Sequence, residues 1–309
     1  MENTTLLNAL NKSNSLYTAA KDGLDEQIKS LLSSGHNVDD TDDSTSSTPL
    51  YIASQQGFLS TVQILVKHGA DLERRFRDGF TALYVASQRG HADVVVYLLK
   101  SGANPNSECI NGSTPLYIAS QQGNDDVVDI LLSYRANVNV VFKKAYSPLY
   151  VACRNGHINT VKKLIQHNAN INSTDCDGGT PLYVASQNNC HEIVEFLLEC
   201  GADDEITFFK GYTCLYVASQ NGHDKVVEKL LKHNKNNINN IMPNQATALY
   251  ITCQNKHTYV ASLLLKYGAD VNTNHCFDTS HNELYQMLLD TNNNKEITNS
   301  LPTNASSVV

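Results

Sequence analysis

Tryptophan is absent from the 309 residues, methionine occurs three times, and charged side chains make up only 17% of the chain, against about 25% in an average soluble protein. Neutral amides fill the gap, with 34 asparagines in all. No apolar run approaches the ~18 residues of a membrane helix, so membrane insertion is not expected. The opening MENTTLLNALNKSNS has no basic start and no continuous apolar stretch, unlike a secretory signal. The net charge of −8 speaks against a globally basic nucleic-acid binder. These absences point to a soluble protein of the cytoplasm, with the nucleus left open.

Cysteine is present eight times, at 109, 153, 176, 190, 200, 214, 253 and 276, but no two form a CxxC pair. Structural zinc needs ligands clustered at short, regular spacings, so no metal is expected. Free thiols in a reducing compartment fit better.

What the sequence does contain is a repeat. Thr48-Pro49-Leu50-Tyr51 returns as Thr81-Ala82-Leu83-Tyr84, Thr114-Pro115-Leu116-Tyr117, Ser147-Pro148-Leu149-Tyr150, Thr180-Pro181-Leu182-Tyr183, Thr213-Cys214-Leu215-Tyr216 and Thr247-Ala248-Leu249-Tyr250. The steps are 33 residues except the last, which is 34 and takes its extra residue within Lys235 to Asn240. A weaker copy stands at Ser15-Leu16-Tyr17.

Each unit reads as two short helices. Thr48 is placed to cap the first, and Pro49 to occupy its first position, where a missing N–H costs nothing. Leu50, Ala53 and Ser54 recur at helical spacing, and Gly57 is a left-handed stop. Val62, Leu65 and Val66 mark the second helix, and His68-Gly69-Ala70-Asp71 ends it. A hairpin-like link such as Arg77-Asp78-Gly79-Phe80 leads to the next unit. Asn189 and Lys256 replace the glycine between helices; Arg135, Asn168 and Asn234 replace the glycine after the second. The seventh repeat gathers the insertion, Asn234 and Lys256, and is expected to be the least stable internal unit.

The pattern resembles the ankyrin-repeat family, which opens each 33-residue unit with T-P-L-H-x-A. Here the opening is TPLYxAS, followed by Gly-His at 90–91, 156–157 and 222–223, VVxxLL runs, and a Gly-Ala-Asp close at Gly69, Gly201 and Gly268. Tyrosine replaces the family's histidine in every copy. The resemblance implies an all-α solenoid of stacked helix-turn-helix units with hairpin-like loops. A single unit cannot bury its apolar face, so at least about three must stack. The expected domain spans 13–290. It has a degenerate N-terminal repeat at 13–47, repeats starting near 48, 81, 114, 147, 180, 213 and 247, and a closing helix at 280–290. Residues 1–12 and 291–309 are expected to be disordered.

No catalytic constellation emerges. Cys153/His157 and Cys253/His257 are two template positions repeated, which is what packing produces. His191-Glu192 does not continue to a second histidine, so the zinc-protease motif fails. Neither a P-loop nor a dinucleotide-binding glycine pattern is present. No enzyme, cofactor or catalytic residue is expected. The eight template tyrosines read as a buried ladder; a base-stacking platform would need exposed rings in a basic groove.

The resemblance implies contacts from hairpin tips and the exposed end of the first helix. Those helix ends are Gln55-Gln56, Gln88-Arg89, Gln121-Gln122, Arg154-Asn155, Gln187-Asn188, Gln220-Asn221 and Gln254-Asn255. A row of amides can hydrogen-bond a peptide backbone without burying charge, or it is merely solvated; both readings stand at this point. Three tips combine cations with aromatics expected to be exposed: Arg77 with Phe80, Lys143 and Lys144 with Tyr146, and Phe209 and Lys210 with Tyr212. Aromatic and arginine side chains are the usual interface anchors. The competing reading packs those rings on neighbouring hairpins. The acidic run Asp39 to Asp43 reads as a solvated loop. The end Ser307-Val308-Val309 has the form of a PDZ-domain ligand, a short and weak signal.

The expected function is therefore a non-enzymatic interaction scaffold or adaptor. It would bind an acidic or polar protein segment carrying apolar anchors, and no nucleic acid. The alternative is the substrate-recognition subunit of a ubiquitin-ligase or signalling complex, with catalysis supplied in trans.

Overall fold

The computed structural model describes residues 15–42, 46–142, 146–209 and 211–271. The expected terminal disorder and the helix at 280–290 lie outside these residues. So do Lys143, Lys144 and Lys210. The chain divides into two compact units, one ending at Asp175 and the other beginning at Cys176.

Among the described residues the first unit has five helix pairs: α1 (Leu16–Asp22) with α2 (Asp25–Ser33), α3 (Pro49–Gln56) with α4 (Leu59–Lys67), α5 (Ala82–Arg89) with α6 (Ala92–Lys100), α7 (Pro115–Gln122) with α8 (Asp125–Ser133), and α9 (Pro148–Asn155) with α10 (Ile158–Gln166). The described residues of the second unit form three: α11 (Pro181–Gln187) with α12 (His191–Glu199), α13 (Cys214–Gln220) with α14 (Asp224–His233), and α15 (Ala248–Gln254) with α16 (Thr258–Lys266). Within each unit, first helices pack on first helices and second on second. The all-α architecture expected from the repeat is the one observed. Among the described residues the only strand-like pairings are three isolated bridges, Phe76–Phe80, Phe142–Tyr146 and Phe208–Tyr212.

The capping chemistry explains where each first helix starts. The hydroxyls of Thr48, Thr81, Thr114, Ser147, Thr180, Thr213 and Thr247 accept the N–H of the tyrosine three residues on, at 3.1–3.2 Å. Each satisfies a donor that the helix itself leaves open. Ser15 does the same for Thr18. The helices are short, so packing rather than propensity holds them. Leu50, Leu83, Leu116 and Leu149 are sealed between neighbours, each contributing about 2 kcal/mol by burial. Ala53 and Ala86 have no exposed surface; their small size permits the close approach of adjacent first helices.

Left-handed residues end the helices as the sequence suggests. Asn189 and Lys256 take φ of 60° and 62° in place of glycine, and Arg135 and Asn168 both take 63°. Asn234 differs. It is extended, with φ −149° and ψ 134°, after a helix that runs on through His233. The inserted residue lets the chain leave α14 without a left-handed turn.

Two sets of bonds tie neighbouring repeats together within each unit. His91 and His157 place Nε2 at 3.0 and 3.1 Å from the carbonyl oxygens of Gln55 and Gln121. His223 and His257 do so with Gln187 and Gln220, and Asn124 donates to Ser87 and Gln88. These rings hold the frayed end of the preceding first helix. On the far side, carboxylate and amide side chains form a ladder. Asp39 accepts the N–H of Asp71, Glu73 that of Asn104, Asn106 that of Asn137, Asn139 that of Asn170 and Asn239 that of Asp270. Asp39, read from the sequence as solvated, is therefore a rung of this ladder. Burial raises its carboxyl above its ordinary value, against the bond from Asp71 N–H.

Candidate partner-binding face

The template tyrosines from Tyr51 to Tyr250 are 2–8% exposed. Rings this covered cannot stack on nucleotide bases, so the ladder is a packing element. Its neighbours alternate with a period of two repeats. Phe76 lies 4.6 Å from Tyr51 and Phe80 lies 4.6 Å from Tyr84, centre to centre. Sixty-six residues on, Phe142 meets Tyr117 at 4.7 Å and Tyr146 meets Tyr150 at 4.8 Å. After another 66, Phe208 meets Tyr183 at 4.6 Å and Tyr212 meets Tyr216 at 5.3 Å. An aromatic hairpin thus clamps two consecutive tyrosines. The hairpins between are polar and bond the hydroxyls instead: Tyr84 with Ser113 at 3.2 Å, Tyr150 with Asp175, and Tyr216 with Asn244 at 2.7 Å.

This corrects one expectation about the tips. Phe80, Tyr146 and Tyr212 are half-buried rather than exposed, because each packs against the tyrosine four residues on, the first two stacked and the third tilted. Phe209, by contrast, is 57% exposed. Phe76, Phe142 and Phe208 were overlooked in the sequence, although their 66-residue spacing is visible there. Arg77 is exposed and holds its guanidinium 5.0 Å from the centre of the Phe76 ring.

The hydroxyls of Tyr51 and Tyr117 have no hydrogen-bond partner among the described residues, unlike those of Tyr84, Tyr150 and Tyr216. Burial lifts the Tyr51 phenol above its ordinary value, while Arg89 and Arg77 draw it back. At Tyr117 burial pushes the phenol up to about 12, with Tyr84 adding to the rise and Arg154 opposing it.

The helix ends divide into two kinds of side chain. The Asn155, Asn221 and Asn255 amides bond the carbonyls of Gln121, Gln187 and Gln220. Gln56, Arg89, Gln122 and Arg154 are exposed and bond to nothing among the described residues. Gln88 and Gln121 are half-buried, with their backbone carbonyls used by the next repeat. Helices α3, α5, α7 and α9 contain no Asp or Glu. The ion pairs among the described residues all involve second helices: Lys29–Glu26, Lys163–Asp129, Lys229–Glu195 and Lys232–Glu228. Among the first helices of the first unit, only α1 carries a carboxylate, Asp22 at its end. The first-helix ends of the first unit carry two arginines without ion pairs.

The recurring Cys/His pairs sit apart in function. Cys153 and Cys253 are buried inside α9 and α15, whereas His157 and His257 turn to the previous repeat. Burial pushes the Cys214 and Cys253 thiols up to about 12, the reverse of what a nucleophile needs. Among the described residues all cysteines are free thiols, and no three potential metal ligands come together.

The family model for ankyrin repeats, in three copies, matches residues 16–109, 116–208 and 204–275. Among solved structures, the human ASB11 ankyrin repeat domain is similar, with a TM-score of 0.64 and 27% sequence identity, over 72% of this chain and 99% of that one. No curated protein matches the chain by sequence.

Proposed function

The chain belongs to the ankyrin-repeat family, whose repeats form protein–protein interaction domains, and from that premise we propose a non-enzymatic adaptor that holds a partner protein on the first-helix ends of residues 46–175. One observation carries the reading: Gln56, Arg89, Gln122 and Arg154 stand exposed, with no side-chain bond among the described residues, on helices without a carboxylate. In a chain of net charge −8, that face is the part suited to an acidic or polar ligand. Arg77 flanks it from the hairpin. The free thiols fit a reducing compartment, and we place the protein in the cytoplasm.

The test is affinity capture from a lysate with the intact chain beside an Arg89→Glu/Arg154→Glu variant. Both substitutions fall at exposed positions, so helix content and stability should be unchanged. A protein held by the intact chain and lost by the variant supports the adaptor reading. Equal recovery by both moves the interface off this face.

A further inference from the structure

We propose that Asn111 is a self-modifying site: the backbone nitrogen of Gly112 attacks its side chain, the amide leaves as ammonia, and water converts the cyclic imide into aspartate and isoaspartate. The site is at the tip of a polar hairpin and does not depend on what binds the first-helix ends.

Three Asn-Gly steps occur in the chain: Asn111–Gly112, Asn155–Gly156 and Asn221–Gly222. Glycine makes each step reactive, because no side chain shields the attacking nitrogen or limits the turn that brings it to the amide carbon. The fold treats the three differently. Asn155 ends α9 and donates its amide to the Gln121 carbonyl at 2.8 Å. Asn221, directly after α13, donates to the Gln187 carbonyl at 3.3 Å. Both amides are thereby held on a neighbouring repeat, and a Cβ on Gly222 would stand 2.6 Å from His257 Nδ1. Asn111 is exposed, and its amide bonds to nothing among the described residues. A Cβ on Gly112 would meet only the Val141 carbonyl oxygen, at 4.0 Å, so the imide ring has room to form. The Gly112 N–H must first leave the Cys109 carbonyl, 2.8 Å away. Gly156 and Gly222 make bonds of the same kind to Cys153 and Ser219, so the side-chain amide is what sets Asn111 apart.

The chemistry balances with water alone, and nothing is oxidised or reduced. Hydroxide removes the Gly112 N–H proton, the N–Cγ bond forms, the Cγ–Nδ2 bond breaks, and the leaving nitrogen takes its proton from water. Opening of the ring by water at Cγ gives aspartate. Opening at the main-chain carbonyl gives isoaspartate, whose backbone runs through the former side chain. Either product adds one negative charge to the net −8. Aspartate suits this position, since Asp78-Gly79 and Asp177-Gly178 occupy the same place in their own hairpins. Isoaspartate instead lengthens the link between Cys109 and Ser113, which close the tip through a 2.9 Å bond from the Cys109 N–H to the Ser113 carbonyl. The Ser113 hydroxyl also bonds that of Tyr84, so the isoaspartyl product loosens a rung of the tyrosine ladder.

The experiment holds the full-length chain at physiological temperature and at neutral to mildly alkaline pH, once folded and once in urea. Peptide mass spectrometry follows the three Asn-Gly steps, and enzymatic carboxyl methylation counts isoaspartate. In the folded chain Asn111 should convert at least about tenfold faster than Asn155 and Asn221, the factor for breaking one more hydrogen bond before attack. Its rate should rise with pH, and Asn111→Gln should remove the fast phase. In urea the three rates should converge, which assigns the difference to the fold. The isoaspartyl fraction should melt below Asn111→Asp; coincident melts would overturn the loosened rung. Equal rates at the three steps in the folded chain, or a fast phase that survives Asn111→Gln, would overturn the site. Rates that stay apart in urea would overturn its structural origin.

Discussion

The imidazole of His91 lies so close to Gly57 that a Cβ on the glycine would stand 2.6 Å from Nδ1. Gly57 is also left-handed, with φ +79°. Gly69 shares that conformation at φ +86°, but a Cβ there meets nothing within 4 Å. The two positions separate backbone strain from side-chain contact. Gly69→Ala should cost about 1 kcal/mol from strain alone. Gly57→Ala should cost about 2 kcal/mol, because the displaced ring also gives up its bond to the Gln55 carbonyl. Urea midpoints of the full chain measure both, and equal losses would rule out a role for the histidine contact.

The ladder tyrosines should respond differently to loss of the hydroxyl. Tyr84→Phe leaves the buried Ser113 hydroxyl without its partner and should cost about 1 kcal/mol. Tyr51→Phe removes a group with no partner among the described residues and should stay within about 0.5 kcal/mol. Thermal midpoints of the two variants, compared side by side, decide the point. A larger loss at Tyr51 would contradict the alternation of aromatic and polar hairpins.

The aromatic hairpins are expected to matter for stability more than for contact. Phe80→Ala removes a half-buried ring stacked on Tyr84 and should cost about 2 kcal/mol. Ile110→Ala, at a tip that is 74% exposed, should change stability by less than about 0.5 kcal/mol. Circular dichroism melts of the intact variants measure the difference.

Alkali should unfold the chain late. The Tyr84 and Tyr117 phenols are held up at about 12, mainly by burial, from an ordinary 10.0. A folded-state value above the unfolded one means that the protonated phenol is the form the fold retains. That contribution is fully present below pH 10.0 and disappears as pH rises through about 12. Ultraviolet titration should show a late class of tyrosinate whose appearance coincides with loss of helix. Ionisation of all fifteen tyrosines near the ordinary value, with helix retained, would refute buried phenols.

Much of the fold was readable because each repeat states its own grammar. Thr48, Pro49, Leu50 and Gly57 specify a cap, a start, a core contact and a stop, and seven copies remove the ambiguity of any one. The exposure of Arg89 and Arg154, which interrupt a row of amides, was readable too. The bonds between repeats were not legible in the same way. That Glu73, Asn106 and Asn139 reach the next repeat's N–H groups depends on stacking distance, which no local spacing reveals. Nor does the sequence say that Phe80 folds back onto Tyr84: a ring at a hairpin tip reads as exposed until the neighbouring helix is in place. Asn234 misled for another reason, because a one-residue insertion changes how a chain leaves a helix without changing the residues around it.

The two-repeat period constrains how this chain can grow or shrink. Excision of a single 33-residue unit, residues 81–113, would press Tyr117 between Phe80 and Phe142, two aromatic hairpins on one ring. Excision of 66 residues, 81–146, would deliver Tyr150 to Phe80 with its bond to Asp175 intact. Length changes that preserve the ladder come in pairs, so the heritable unit of this array is twice as long as its structural repeat.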